Sequence, residues 1–519
     1  MRMNPSGDAL FYGDNLDILR NHIEDESVDL VYLDPPFNSN ANYNVLFRAP
    51  DGSQSQSQIV AFDDTWHWTD SAEAAFDDVM RSGHSDAAEM LRAMRAVLKP
   101  TGSLYLHCDP TASHYLKILL DAVFGVANFR NEIIWKRKAG RGETNNSAVR
   151  FGVSHDLILF YSKSKQLTFA RQLRPNNPNY IASKYIHKDP DGRVYQLDNL
   201  TSPSPRPNLT YEYKGYQPPA NGWAVSLARM KQMDEESRLY FPSDKAKRIR
   251  RKRYLDELEG ETVDSLWDDI SPINSQAAER LGYPTQKPVA LLERILKASS
   301  NENDLVLDPF CGCGTTIHAA EKLNRRWIGI DVTHLAVGLI RDRLTSAFPQ
   351  AQFEVIGVPR DLAAARELAR ADKHEFQLWA LSMIVGAQPF KGGRKGADGG
   401  VDGYIWFQPD GKKHEKAVVS IKGGDNVDVR MIRDLIATVD RENAKVGVFV
   451  TLAKPTRPMI SEAAAAGFYE SPLHGRVAKI QILTIENLFE KQQPDLPWIA
   501  PSSKSAKRET STKQIGLDF

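Results

Sequence analysis

Cysteine is scarce in this chain of 519 residues, which contains only Cys108, Cys311 and Cys313. Three cysteines can form neither a disulfide framework nor a zinc site with four cysteine ligands. An excess of charge is also lacking, because 66 basic and 66 acidic residues give a formal net charge of +0. Such a balance argues against a simple basic protein that coats nucleic acid.

Long apolar runs are absent as well, and the N-terminal stretch MRMNPSGDALFYGDN lacks the apolar core of a secretion signal. We therefore expect a reduced protein of the cytoplasm that has no membrane partner. A chain of this length is too long for one ordinary core, so two or three domains are expected. Hydrophobic residues at 41% and charged residues at 25% are typical of globular domains.

Short apolar runs alternate with helical patterns over residues 8–135. VDLVYLD (Val28–Asp34) and GSLYLH (Gly102–His107) predict buried strands, and helical spacing follows each of them. This alternation predicts a parallel sheet with crossover helices. It resumes at PVALLERILKASS (Pro288–Ser300), so one sheet is interrupted by the segment between the two stretches.

That intervening segment is rich in Asn, Pro, Tyr and Arg and lacks sustained periodicity, which is typical of a loop-rich inserted module. A second α/β unit follows the sheet, and the Ser-, Lys- and Thr-rich C-terminus predicts a disordered tail. The predicted organisation is one α/β domain in two parts (1–138 and 265–358), an insertion (139–264), a second α/β domain (373–492) and a tail (501–519).

A glycine-containing turn follows the strand that ends at Asp308, in the segment DLVLDPFCGCGTT. Glycine at 312 and 314 removes the Cβ atoms that would keep the backbone away from a ligand at the carboxyl end of the strand. RWIGID then ends a further strand at Asp331, where a carboxylate can accept hydrogen bonds from both hydroxyls of a ribose. The pattern predicts a site for a nucleoside-containing cofactor. Cys311 and Cys313 could also bind a metal, but no complementary ligands lie nearby in the sequence.

A second loop, Asp34-Pro35-Pro36-Phe37, also ends a buried strand. The exocyclic amine of adenine or cytosine is a poor nucleophile, so its methylation needs acceptors that hold the amino hydrogens. Asp34 can supply a carboxylate oxygen, and the rigid Pro35-Pro36 pair can aim a main-chain carbonyl. Phe37 offers a face on which an extruded base can stack. The same four residues are equally compatible with a turn that merely ends a strand.

Together the two loops resemble the N4/N6 DNA methyltransferases, with DPPF as the catalytic loop and DPFCGCGTT as the S-adenosylmethionine loop. The order of catalytic loop, variable insertion and cofactor motifs is that of the beta class of this family. The resemblance covers residues 8–345 and implies a Rossmann-like methyltransferase sheet. Further segments that match the family are GDNLDIL, YLHCD, HDLILFYSK and YPTQKPVALLERIL.

The resemblance implies roles for particular residues. Asp34 rather than Ser at the head of the catalytic loop favours adenine N6 over cytosine N4, and both amines remain open, as does RNA as a substrate. The transfer would be a direct in-line displacement, in which orientation supplies most of the acceleration. The residues implied to contact S-adenosylmethionine are Asp308, Phe310, Gly312, Gly314, Thr315 and Asp331, with Thr285, Lys287 and Pro288 on the methionine side.

Two basic clusters flank and occupy the insertion. Taken alone, each is compatible with a solvated helix face. In a methyltransferase that acts on double-stranded DNA, they would supply phosphate contacts around a target-recognition region. The residues of this predicted DNA surface are Lys136, Arg137, Lys138, Arg141, Arg250, Arg251 and Arg253.

The second α/β unit carries GADGGVDGYIWF and then AVVSIKGG, which place an acid on one strand and a lysine on the next. This resembles the Mrr-type branch of the PD-(D/E)xK restriction endonuclease fold. The resemblance implies Asp402 as a carboxylate ligand of Mg²⁺, Lys422 as the lysine and Glu375 as a third residue. Ser420 departs from the family, in which an acid or Gln is usual, and a serine weakens metal binding. A Gly-rich hairpin remains the alternative interpretation.

The preferred hypothesis is an adenine-N6 methyltransferase and restriction endonuclease in one chain. One alternative is a cytosine-N4 methyltransferase. Another is a solitary methyltransferase whose C-terminal domain is a non-cutting DNA-binding or interaction module, which Ser420 favours. Such a protein is expected in a prokaryotic cytoplasm, associated with the nucleoid, as a monomer or a homodimer.

Overall fold

The computed structural model describes residues 4–35, 44–45, 59–60, 86–137, 151–274, 277, 279–281, 283, 285–390, 399–410 and 414–497. The predicted residues Pro36, Phe37, Lys138 and Arg141 and the tail 501–519 therefore lie outside the described part of the chain. None of the described helices is both long and apolar enough to span a bilayer.

The N-terminal segment alternates strands and helices as expected. The side chain of Asp14 accepts a hydrogen bond from the backbone N–H of Asp17 and so caps the first helix. The strands are β1 (Asp8–Tyr12), β2 (Val28–Leu33), β3 (Asn44–Val45), β4 (Ile59–Val60), β5 (Leu98–Cys108), β6 (Phe129–Lys136) and β7 (His155–Ser162). The helices are α1 (Asn15–Asn21), α2 (Asp86–Val97) and α3 (Ser113–Phe124).

The inserted segment contains more regular structure than its composition predicts. Its largest sheet has the order β11-β12-β10-β9, and Trp223 is fully buried in a small core of its own. The strands are β8 (Leu173–Arg174), β9 (His187–Lys188), β10 (Val194–Asn199), β11 (Leu239–Tyr240), β12 (Arg250–Tyr254) and β13 (Glu261–Thr262). The helices are α4 (Pro178–Lys184) and α5 (Leu227–Glu235).

The main sheet resumes after the insertion. All four residues of its strand Leu305–Asp308 are buried, which is typical of a central strand covered on both faces. The strands are β14 (Leu266–Trp267), β15 (Leu305–Asp308), β16 (Arg326–Asp331) and β17 (Phe353–Ile356). The helices are α6 (Val289–Ser299), α7 (Thr315–Lys322) and α8 (His334–Ala347).

Among the described residues, nine strands form this sheet in the order β14-β6-β7-β5-β2-β15-β16-β1-β17. Every neighbouring pair is parallel except those of β7, which runs antiparallel to both β5 and β6. The predicted insertion (139–264) therefore includes a strand of the main sheet, because His155–Ser162 pairs with β5 and β6. The separate compact unit begins at Arg171 and ends at Asp264.

The C-terminal domain is a second sheet with helices on both faces. Its strand order is β18-β19-β20-β21-β24, antiparallel up to β20 and parallel beyond it. The strands are β18 (Ala387–Pro389), β19 (Gly403–Phe407), β20 (Glu415–Lys422), β21 (Val446–Thr451), β22 (Phe468–Ser471), β23 (Gly475–Ala478) and β24 (Ile480–Thr484). The helices are α9 (Leu362–Ala371), α10 (Lys373–Ser382), α11 (Val429–Arg441), α12 (Arg457–Ala465) and α13 (Ile485–Phe489).

Alternation along the central strand β20 explains the two faces. Val419 and Ile421 pack with Phe376 of α10, whereas Val418 packs with Ile432 of α11. Because side chains alternate with a period of two, Ser420 and Lys422 share the face of Val418.

Candidate active sites

The glycine turn between β15 and α7 has the predicted form. Gly314 precedes the helix with a φ of 72°, in the left-handed region, and Gly312 has a φ of 49°. A Cβ on Gly314 would lie 2.8 Å from Cγ1 of Ile340, so a larger residue has no room there. The turn can therefore bring its backbone close to a ligand only with glycine at this position.

Two carboxylates lie at the ends of β15 and β16, and that of Asp308 is buried whereas that of Asp331 is partly buried. Asp308 accepts a hydrogen bond from the N–H of Phe310 at 3.0 Å, and Asp331 accepts one from the N–H of Gly312 at 3.0 Å. Thr333 donates to Asp331 through both its N–H and its hydroxyl, at 2.9 and 2.8 Å. Burial raises the pKa of Asp308 to about 7 and that of Asp331 to about 6.

Arg343 of α8 donates hydrogen bonds to the same turn from a buried position. Its side chain is only 3% exposed, and Nη1 donates to the carbonyl oxygen of Cys313 at 2.9 Å and to Oγ1 of Thr315 at 3.3 Å. Sequence reasoning missed this residue because it lies on the following helix, where an arginine is most often a surface residue.

One cavity of about 180 Å³ collects most of the predicted methyltransferase residues. Asp34 and Pro35 line it together with the carboxylates of Asp308 and Asp331. Gly314 and Pro288 adjoin it at the start of α7 and α6 without lining it. The other predicted residues in its wall are Thr285, Lys287, Phe310, Gly312 and Thr315, and residues that were not predicted include Asn15, Tyr32, Tyr283, Val332 and Thr333.

Asp34 and Lys287 meet in this cavity. Nζ of Lys287 lies 2.8 Å from Oδ1 and 2.6 Å from Oδ2 of Asp34, and their side chains are 11% and 17% exposed. The sequence predicted both residues for the site but assigned Lys287 to the cofactor. Its contact with the catalytic loop is a finding of the structure.

A buried polar chain begins at Tyr32, two residues before Asp34. Tyr32 Oη is 2.9 Å from Nδ1 of His107, and Nε2 of His107 is 3.2 Å from Asp156. Burial lowers the pKa of His107, which favours the neutral ring. Burial alone would raise the pKa of Asp156, but the hydrogen bond from His107 and the charge of nearby cations bring it below the ordinary value. The chain is satisfied when Tyr32 donates to Nδ1 and Nε2–H donates to Asp156.

Some of the predicted DNA-contacting residues already pair with carboxylates of the same chain. Arg137 lies 3.2 Å from the buried carboxylate of Asp156, whereas Lys136 is exposed. In β12, Arg251 lies 2.5 Å and Arg253 3.4 Å from Asp198, so one carboxylate is shared by two of the predicted cations. Arg250 is exposed and forms no ion pair with another described residue.

The C-terminal domain brings Asp402 to the end of β20. Asp402 Oδ2 accepts the N–H of Ile421 at 2.6 Å, and Oδ1 accepts a hydrogen bond from the side-chain amide of Gln377 at 2.6 Å. Ser420 is 4% exposed and Lys422 is half-buried. Both lie on the face of β20 that carries Val418. Within the described ranges, no group of three or more acidic, His or Cys side chains is arranged to hold a metal ion.

The structure does not bring Glu375 to this site, contrary to the sequence prediction. Its carboxylate accepts a hydrogen bond from Tyr12 Oη at 2.7 Å, in the methyltransferase sheet. Residues two apart on a helix point in nearly opposite directions, so the α10 residue that meets Asp402 is Gln377. The sequence signal for this contact was the polar Gln377 directly after the buried Phe376 in HEFQ.

A glycine turn, an acid at the end of the next strand and an Asp-Pro loop, all around one cavity, define an S-adenosylmethionine-dependent methyltransferase domain. The chain belongs to the DNA methylase family, whose N6/N4 sequence model matches residues 28–341, more than half of its length. A restriction endonuclease model of the Mrr type matches residues 368–489. The predicted fold class is thus confirmed, and a DNA methyltransferase domain is fused to an Mrr-type domain of the PD-(D/E)xK fold.

The chain is similar to several named proteins. The chain is 29% identical to the type II methyltransferase M.EcaI of Enterobacter cloacae over 372 residues, which cover 71% of this chain and 76% of the relative. It is 29% identical to the StyLTI Mod subunit of Salmonella typhimurium, a type III restriction-modification enzyme, over 60% of this chain and 49% of that subunit. The putative DNA modification methylase TTHA0409 of Thermus thermophilus, solved with S-adenosyl-L-methionine, matches 68% of this chain and 99% of its own at 17% identity and a TM-score of 0.35.

Proposed function

We propose that the protein transfers the methyl group of S-adenosylmethionine to the N6 amine of adenine in double-stranded DNA. The observation that carries this proposal is the presence of Asp34, Asp308 and Asp331 in the wall of one cavity. The proposal accounts for a hydrogen-bond acceptor at the place where a target amine must be held, beside a site for a nucleoside.

The lining of the cavity fits the cofactor chemically. The Asp331 carboxylate can accept hydrogen bonds from ribose hydroxyls, and Phe310 and Val332 add apolar surface. The other residues to which we assign the cofactor are Asp308, Gly312, Gly314, Thr315, Thr285 and Pro288. When bound, S-adenosylmethionine supplies an electrophilic methyl group on a sulfonium.

The catalytic loop holds the acceptor base. The Asp34 carboxylate accepts a hydrogen bond from the amino group and so orients the nitrogen lone pair, while Pro35 restricts the backbone. Pro36 and Phe37 keep their predicted roles, a carbonyl aimed at the amine and a stacking face for the extruded base. An aspartate at this position favours adenine, and cytosine N4 is the alternative outcome.

The test is chemical identification of the product. Purified protein is incubated with unmethylated genomic DNA and isotopically labelled S-adenosylmethionine, and the DNA is digested to nucleosides for mass spectrometry. We expect label in N6-methyladenine. Label in N4-methylcytosine would retain the family chemistry and refute the choice of base. Label in added RNA but not in duplex DNA would refute the substrate.

We further propose that the insertion reads the DNA target and that the C-terminal domain uses Asp402 and Lys422 for Mg²⁺-dependent cleavage. Ser420 and Gln377 stand where further metal ligands would be useful, and this observation favours a second candidate, a DNA-binding module that does not cut. Incubation of the full chain with unmethylated DNA and Mg²⁺ distinguishes the two. Cutting that is lost in Lys422→Ala supports the nuclease, and intact DNA at all Mg²⁺ concentrations supports the binding module.

A further inference from the structure

We propose that Lys287 is a positioning residue that aims the Asp34 carboxylate at the target amine, which assigns its role to Asp34 rather than to the cofactor. This inference rests on the proposed function of Asp34. Its basis is the contact of one ammonium group with both carboxylate oxygens, at 2.8 and 2.6 Å, between residues that are 253 positions apart in the chain.

The backbone that carries Asp34 is already held in place. Leu33, the preceding residue, is paired with Leu106 in the main sheet, and Tyr32 is anchored to His107 by a hydrogen bond of 2.9 Å. Pro35 follows and restricts its own φ. The remaining freedom at this point of the catalytic loop is rotation of the Asp34 side chain, and that is the freedom removed by Lys287.

Lys287 itself lies in a well-connected segment. The Gln286 side chain donates to the carbonyl oxygen of Glu279 at 2.6 Å and accepts from the N–H of Leu281 at 2.8 Å. Pro288 immediately precedes α6, whose first N–H, that of Val289, donates to the Glu279 carboxylate at 3.1 Å. The backbone on both sides of Lys287 is therefore held by hydrogen bonds, as a positioning group requires.

The contact leaves the carboxylate able to act. Two carboxylate oxygens together offer about four lone-pair sites, and a single ammonium group takes only part of them. Asp34 also lines the cavity and its side chain is 17% exposed, so the amine can approach the remaining sites from the cavity. Lys287 thus orients the Asp34 carboxylate and leaves it able to accept a hydrogen bond from the target amine.

The test separates orientation of Asp34 from cofactor binding. Lys287→Met keeps the length of the side chain and removes its charge, Lys287→Arg keeps the charge, and Lys297→Met on the exposed side of α6 is the matched control. For each full-length variant, S-adenosylmethionine affinity is measured by calorimetry without DNA. Steady-state methyl transfer to unmethylated DNA then gives kcat and KM.

We expect Lys287→Met to lower kcat by about 100-fold, the loss typical of a misplaced reacting group, with cofactor affinity changed by far less. Lys287→Arg should recover part of kcat, and Lys297→Met should match the wild type. A weakened cofactor affinity with unchanged kcat would overturn the inference and return Lys287 to the cofactor, and so would wild-type behaviour in both measurements.

Two further outcomes keep the test decisive. If Lys287→Met fails to fold, Lys287→Arg alone decides, because a longer planar head group must shift the carboxylate and lower kcat if the inference holds. If Asp34→Ala retains wild-type methylation, the proposed function of the loop fails. That result differs from failure of the inference about Lys287, in which Asp34→Ala is inactive and Lys287→Met is not.

Discussion

The hydroxyl of Tyr12 donates a hydrogen bond of 2.7 Å to the carboxylate of Glu375. The ring of Tyr12 also stacks on His334, with ring centroids 3.7 Å apart and an interplanar angle of 12°. His334 begins α8 directly after the Asp331–Thr333 turn, and Glu375 lies in α10 of the C-terminal domain. The first turn of α10 therefore packs against β1 and the start of α8, directly after the turn that carries Asp331.

Replacing Glu375 should affect stability and leave metal binding unchanged. Glu375→Leu removes the acceptor of Tyr12, which should lower the free energy of unfolding by about 1 kcal/mol. Glu375→Gln should lower it less, because its amide oxygen can still accept. Thermal unfolding of the full chain checks the order of the three proteins.

Tyr12→Phe is the control for that contact. In a double variant with Glu375→Leu, the losses should be less than additive, since both changes break the same bond. Fully additive losses, or an equal loss in Glu375→Gln and Glu375→Leu, would show that the hydrogen bond is not the source of the effect.

The Gln377–Asp402 contact predicts weak Mg²⁺ binding that one substitution strengthens. Gln377→Glu places a second carboxylate beside Asp402, so Mg²⁺ should raise the thermal unfolding midpoint of this variant more than that of the wild type. Asp402→Asn in the same background should remove the gain. An equal Mg²⁺ response in all three proteins would contradict the assignment of this pair to the metal site.

Asp308 should make the stability of the protein depend on pH. Its folded-state pKa is raised by burial to about 7, from 3.8, so the folded chain retains a proton that the unfolded chain releases. The stabilising contribution is complete below about pH 4 and is lost as the pH rises through 7, by on the order of 4 kcal/mol at most. Asp308→Asn should make the thermal unfolding midpoint depend less on pH between pH 5 and pH 8.

Asp17→Asn, at an exposed position of α1, is the matched control and should follow the wild-type pH profile. Parallel profiles for the wild type and Asp308→Asn would mean that Asp308 does not hold its proton in the folded state. Asp331, whose pKa burial raises to about 6, adds a smaller loss of the same sign.

Arg343→Met should loosen the cofactor turn. The arginine binds the Cys313 carbonyl and the Thr315 hydroxyl from a buried position, and its loss leaves both acceptors without that donor. We expect a loss of about 2 kcal/mol in stability and an approximately tenfold weaker cofactor affinity. Calorimetric titration checks this, with Arg341→Met, whose side chain on the same helix is 42% exposed, as the control. Equal affinities in the two variants would contradict the role of Arg343.

Features that depend on local backbone could be predicted from the sequence. The turn with Gly312 and Gly314 and the carboxylate at Asp331 follow from strand, glycine and helix signals within a short window. The orientation of β7 could not be predicted, because an apolar run such as HDLILFYS forms a buried strand in either direction.

Side-chain partners across long separations were also beyond the sequence. The contact of Lys287 with Asp34 depends on how α6 meets the end of β2, and no local pattern encodes it. The choice between Glu375 and Gln377 depends on which face of α10 meets the strands. Because residues two apart on a helix point in nearly opposite directions, only one of these two side chains can reach Asp402.

The central claim is amine methylation directed by Asp34, and it is tested most directly by sequencing the methylome of a host that expresses the protein. We predict N6-methyladenine at one recurring sequence motif in cells with the wild-type chain, and no such signal in cells with Asp34→Ala. Equal methylation by the wild type and Asp34→Ala would contradict the account.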